Sequence, residues 1–161
     1  MITIRDLQRI LEMENEIIHD QVTGLSQADS LLQPQPGGNC LNWVVGHLLT
    51  NQLEIIDAIG GIVPFDSIIV QRYQRNSEPI RADEEGVLTL NTMVSMHDQT
   101  HQVINDKLNT MKEEDFENEI QIGERKIKLG WRVFFLHFHY TYHIGQLEFL
   151  RQMAGKIDKL I

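Results

Sequence analysis

Gly130-Trp-Arg-Val-Phe-Phe-Leu-His-Phe-His139-Tyr-Thr-Tyr-His143-Ile-Gly145-Gln146-Leu-Glu-Phe-Leu-Arg-Gln-Met-Ala154 is the most apolar and aromatic long stretch of the chain. Its periodicity is helical, and Gly155 supplies a stop, so it reads as one long closing helix. Three earlier segments share that period. Ile4 to about Thr23 places Leu7, Ile10, Leu11, Ile17 and Ile18 on one face and ends at Gly24. Leu41 to Ile59 is apolar nearly throughout, with Asn39 as a candidate N-cap and Gly60-Gly61 as its end. Val87 to about Met111 sets Val87, Leu90, Val94, His97, His101, Ile104 and Leu108 on a bundle-like seam.

Between the second and third of these helices lies Ile62 to Glu85, with Pro64 and Pro79. It is too long for a tight turn and reads as a crossover or functional loop. A helical turn fits near Ser26 to Asp29. Weak alternation in Glu119–Ile122 and Arg125–Leu129 admits a small hairpin around Gly123. The expected fold is all-α, a four-helix bundle with a long crossover between helices two and three, forming one domain over residues 1–161.

The 161 residues carry 23 acidic and 14 Lys or Arg side chains, a formal net charge of -9. No basic cluster exceeds two adjacent residues, which argues against nucleic acid as the main partner. An anionic ligand in a local pocket stays open. No uncharged apolar run is long enough to span a membrane, and the first sixteen residues have no apolar core of a signal peptide. With one cysteine, Cys40, a reducing, cytoplasmic setting is the expectation. Cys40 reads either as a thiol activated at a helix N-terminus or as a plain small residue.

The chemistry sits in the histidines. Residues i and i+4 of a helix lie about 40° apart around the axis and roughly 6 Å apart along it. His139 and His143 can therefore share one divalent ion. A stripe of Phe135, His139, Tyr142, His143, Gln146 and Leu150 puts both on what reads as a core-facing side. Tyr140 stands where zinc proteases carry glutamate, so protease chemistry is disfavoured. A bare HxxxH is more often two partly buried, hydrogen-bonded histidines, and His97 and His101 form a rival pair. Catalytic metal sites typically use three protein ligands. His47, inside an apolar helix, is the best third candidate, and Gly46 beside it would let another helix or an ion approach. Asn51 and Gln146, each one turn from a candidate ligand, could support the site. His137 should face away from it, and His19 reads as structural or exposed.

Three blocks then resemble the DinB/YfiT-like superfamily: Pro36 to Leu49, with Trp43-Val-Val-Gly46-His47; Phe138 to Leu147, with His139, His143, Gly145 and Gln146; and Leu150 to Lys156. Arg75 to Pro79, Asp98 to His101 and Glu114 to Phe116 follow in the same order. The resemblance implies a divalent metal, zinc or nickel, on His47, His139 and His143, and homodimers. It places His101 where it could line the cavity. It also implies a metal-activated low-molecular-weight thiol acting on a small electrophilic substrate, an S-transferase or related hydrolase. No catalytic side chain beyond the ligands is assigned. The alternative is a non-catalytic stress-response or binding protein with a structural metal or histidine cluster.

Overall fold

The computed structural model describes residues 3–158. Four long helices form the bundle: α1 (Ile4–Val22), α3 (Leu41–Ala58), α4 (Leu90–Leu108) and α5 (Leu129–Met153), with a single helical turn α2 (Gln27–Ser30) after α1. α1 and α3 each pack on both α4 and α5. The crossover between α3 and α4 contains a 3-10 segment, Ser67–Tyr73, that lies against α3. A 3-10 turn, Glu113–Glu117, and a hairpin join α4 to α5. In the hairpin β1 (Glu119–Ile122) pairs antiparallel with β2 (Arg125–Lys128), Ile120 opposite Ile127, across a turn in which Gly123 takes φ +57°. The hairpin that weak alternation admitted is therefore present.

The helix starts follow local chemistry. Thr3 and Asp6 form a reciprocal capping box at α1, and Ser26 and Asp29 form another at α2. Thr89 caps α4, so that helix begins at Leu90 rather than Val87. The N-cap of α3 is Cys40, not Asn39, and its side chain makes no capping bond. The buried thiol instead donates to the Ile80 carbonyl at 3.5 Å. Burial raises the thiol's pKa, outweighing the pull of backbone amides at the helix start, so Cys40 is a core residue.

α3 is the axis of the core. Thirteen of its residues are buried, which explains its near-continuous apolar sequence. Two apolar clusters meet along it, one around Leu48, Leu49 and Tyr140, the other around Ile55, Ile56 and Leu136. Between them lies a buried polar layer of Gln52, His97 and Thr100. His97 Nε2–H donates to the Val45 carbonyl at 3.1 Å, and its Nδ1 lies 3.3 Å from the Tyr140 hydroxyl. Buried Arg151 donates to the Gln21 and Thr23 carbonyls at 3.2 and 2.7 Å, closing the C-terminal end of α1.

The buried apolar stripe of α5 is Leu129, Val133, Leu136, Tyr140, Ile144, Leu147 and Leu150, so of the expected stripe Leu150 is buried. This corrects the expected core face. Phe135 and Tyr142 are 48% and 61% exposed, so His139 and His143 flank the core stripe and look into an open cleft. No described helix is long and apolar enough to cross a membrane.

Candidate metal centre

α3 contributes His47 and α5 contributes His139 and His143, and the bundle brings the three together. One ring nitrogen of each lies within 4.8 Å of those of the other two. The rings stand edge to face, with centroids 4.6 Å apart for His139 and His143, 4.9 Å for His47 and His143, and 5.2 Å for His47 and His139. The Nε2 atoms of His139 and His143 are 3.1 Å apart. Two nitrogens on one tetrahedral ion, each about 2.0–2.1 Å from it, lie about 3.3–3.4 Å apart. The observed pair is close to that span.

Each imidazole is held from behind. His47 Nδ1–H donates to the Tyr73 carbonyl at 2.8 Å, and the Trp43 ring stacks on its face at 4.6 Å. That bond leaves Nε2 of His47 with its lone pair free. His143 Nδ1–H donates to Gln146 Oε1 at 2.7 Å and likewise frees Nε2. His139 Nδ1 lies 2.8 Å from the side-chain amide of Asn51.

Two proton arrangements fit this frame. In the metal-free one, Asn51 donates to His139 Nδ1 and His139 Nε2–H donates to His143 Nε2. That arrangement leaves His47 Nε2 without a donor and the buried Asn51 Oδ1 without a partner. In the other, a half-turn of the Asn51 amide lets Oδ1 accept His139 Nδ1–H. Three Nε2 lone pairs then converge with no proton between them, and a divalent cation satisfies all three. The donor set fits a metal.

Electrostatics keep the rings neutral in either arrangement. Burial lowers the pKa of all three histidines. For His139, burial together with the neighbouring His143 and His47 brings it down to about 4. All three are therefore neutral, ligand-competent imidazoles near pH 7.

The trio forms one wall of a cleft of about 800 Å³ that is also bounded by Gly37, Gly38, Trp43, Arg75, Tyr142 and Phe149. Gln146 lines it too. His101 does not; its Nε2 lies 2.8 Å from the Asn105 amide on α4, and Glu12 and Asp98 are the carboxylates that act on it. The rival pair is thus split between a core hydrogen-bond layer, His97, and a site outside the cleft, His101. His137 points elsewhere, with Nδ1 3.0 Å from buried Glu14, and His19 pairs with Asp98 at 2.7 Å. The close approach at Gly46 is made by the last residue of the 3-10 helix Ser67–Tyr73. A Cβ there would sit 2.1 Å from the Tyr73 ring. Sequence reasoning missed Tyr73, and it named Arg75 and Ser77 only within a block of the resemblance, with no role; Gly46 was the residue-level signal that something packs closely there.

Comparison with known proteins places the fold. The sequence profile of the DinB superfamily matches residues 11–147. A DinB-like protein from Bacillus cereus superposes with a TM-score of 0.75 at 17% identity, covering 99% of each chain. A conserved protein from Enterococcus faecalis superposes with a TM-score of 0.70 at 14% identity, over 97% of this chain and 99% of that one. No curated protein sequence matches. With its profile matched over most of its length and its fold shared with a DinB-like structure, the chain belongs to the DinB superfamily.

Proposed function

We propose that this protein is a divalent-metal-dependent enzyme, a thiol S-transferase or related hydrolase, with zinc or nickel on His47, His139 and His143. One observation carries the reading: three neutral imidazoles present their free nitrogens to a roomy, open cleft. Structural metal sites are closed by four protein ligands, whereas catalytic sites keep a position open. The cleft of about 800 Å³ leaves room on the fourth side for a small molecule. That weighs against a purely structural histidine cluster.

The ion would supply positive charge that makes a thiol or water nucleophilic at neutral pH. The protein's own residues set the stage. Tyr73, Asn51 and Gln146 fix ring orientation, which keeps the ligand nitrogens turned into the cleft. Trp43 shields one face of His47, and Tyr142 and Phe149 offer apolar walls for a small electrophile.

The reading extends to a cytoplasmic homodimer. None of the exposed residues of α5 carries a charge, and Trp131, Phe134, Phe135, Phe138, Tyr142 and Phe149 are among them. Such an uncharged aromatic face suits self-pairing.

The test is a transfer assay with cysteine as thiol and 1-chloro-2,4-dinitrobenzene as electrophile, run on metal-loaded and chelated protein. Metal-dependent turnover, lost in His143→Ala, is expected. No metal-dependent turnover with thiol or water, together with a large drop in melting temperature on chelation, would establish the structural alternative.

A further inference from the structure

Among the described residues, and apart from the histidines, Arg75 is the one charged side chain that lines the cleft, and no carboxylate lines it. This holds in a chain whose acidic residues outnumber Lys and Arg by 23 to 14. Arg75 also borders a neighbouring depression that contains Glu54 and Asp57. Glu54 is engaged by Arg132. Among the described residues Arg75 makes no ion pair.

The segment that carries Arg75, an exposed side chain, is anchored beside the cleft. Two residues before Arg75, the Tyr73 carbonyl accepts His47 Nδ1–H at 2.8 Å. Two residues after it, Ser77 Oγ accepts Trp43 Nε1–H at 2.8 Å. His47 and Trp43 are one turn apart on the same face of α3, so the chain is anchored on both sides of Arg75. Asn76, at φ +68°, makes the left-handed bend between the two anchors.

We propose that Arg75 makes this cleft a site for a small organic carboxylate whose other end reaches the histidine trio. A guanidinium offers a planar fork of N–H donors that matches a carboxylate in two parallel bonds. The apolar surfaces of Trp43, Tyr142 and Phe149 favour an organic acid over inorganic phosphate. The inference rests on the metal-enzyme reading only for what lies at the ligand's far end.

The test is calorimetric titration with 3-mercaptopropionate and its neutral isostere 3-mercaptopropionamide. Both are run on cobalt-loaded and on metal-free protein, wild type and Arg75→Gln. The carboxylate is expected to bind wild type about tenfold more tightly than the amide in both forms. Arg75→Gln should bring that ratio close to one in metal-free protein while leaving cobalt content and amide affinity unchanged. Arg75→Lys should restore part of the preference. Equal affinity of acid and amide for wild type, or a preference that survives Arg75→Gln in metal-free protein, overturns the proposal. Failure of the metal reading shows differently: no thiolate-to-cobalt absorption with either probe, while the Arg75-dependent preference persists and supports the carboxylate site.

Discussion

His47 shows how one glycine can position a ligand. Gly46 leaves the space that the Tyr73 ring fills, and the Tyr73 carbonyl then orients the His47 ring. Gly46→Ala forces a methyl group into that ring. Overpacking of this kind costs about 1–3 kcal/mol. The expected result is a lower denaturant midpoint in chemical unfolding and weaker metal binding, because the Tyr73 carbonyl shifts with its ring. Asn51 makes a separate prediction. Asn51→Leu keeps the buried volume but removes the partner of His139 Nδ1, and metal affinity should fall about 10–100-fold by competition titration with a chelator. Helical spacing marked His139 and His143 and, equally, His97 and His101, with His47 as an awkward histidine in an apolar helix and Asn51 and Gln146 one turn from candidate ligands; the resemblance selected His47, His139 and His143. No role was marked for Tyr73 or Arg75. Their roles depend on where an irregular segment lands, and no period encodes that.

Among the elements, α5 holds most of the information. Its length and its end at Gly155 are legible from period and composition, and so are α1 and α3 to within a residue or two. Its faces were not. Aromatic residues crowd both sides of the helix, so hydrophobicity alone assigned Phe135 and Tyr142 inward, whereas the core takes Val133, Leu136, Tyr140 and Leu147. The true core stripe is mainly aliphatic, and the outward face is aromatic and uncharged. If that face pairs two copies, Phe138→Glu, at a position 60% exposed, should halve the mass seen by light scattering without lowering the melting temperature of the separated chain. An unchanged dimer mass, or a monomeric wild type, would remove α5 as the pairing surface. The α3–α4 crossover shows the opposite balance. Its irregularity was legible, but not the side chains that stitch it down: Tyr73 to Asn42 at 3.2 Å, the Leu88 amide to Tyr73 at 2.7 Å, and Trp43 to Ser77 at 2.8 Å.

Across the whole molecule, the buried polar layer makes stability depend on pH. Burial holds folded His97 at about 4, below its ordinary 6.5. As pH falls, the unfolded chain takes up a proton first. The stability linked to His97 is therefore fully present above pH 6.5 and is lost as pH drops toward about 4, on the order of 3 kcal/mol in all. His97→Gln should flatten that part of the stability curve in denaturant titrations at stepped pH. His137 works with the opposite sign: Glu14 raises its pKa, so its contribution is present at low pH and fades above its folded value. The helices thus place the core, and the core holds α3 and α5 so that their histidines face one cleft. The most direct test of that arrangement is the metal content of protein purified at neutral pH, by elemental analysis. Wild type should carry about one divalent ion per chain, and His47→Ala, His139→Ala and His143→Ala should each lose it while keeping wild-type helical content. Full metal content in His139→Ala, or none in wild type after loading with zinc and nickel, would contradict the three-histidine centre.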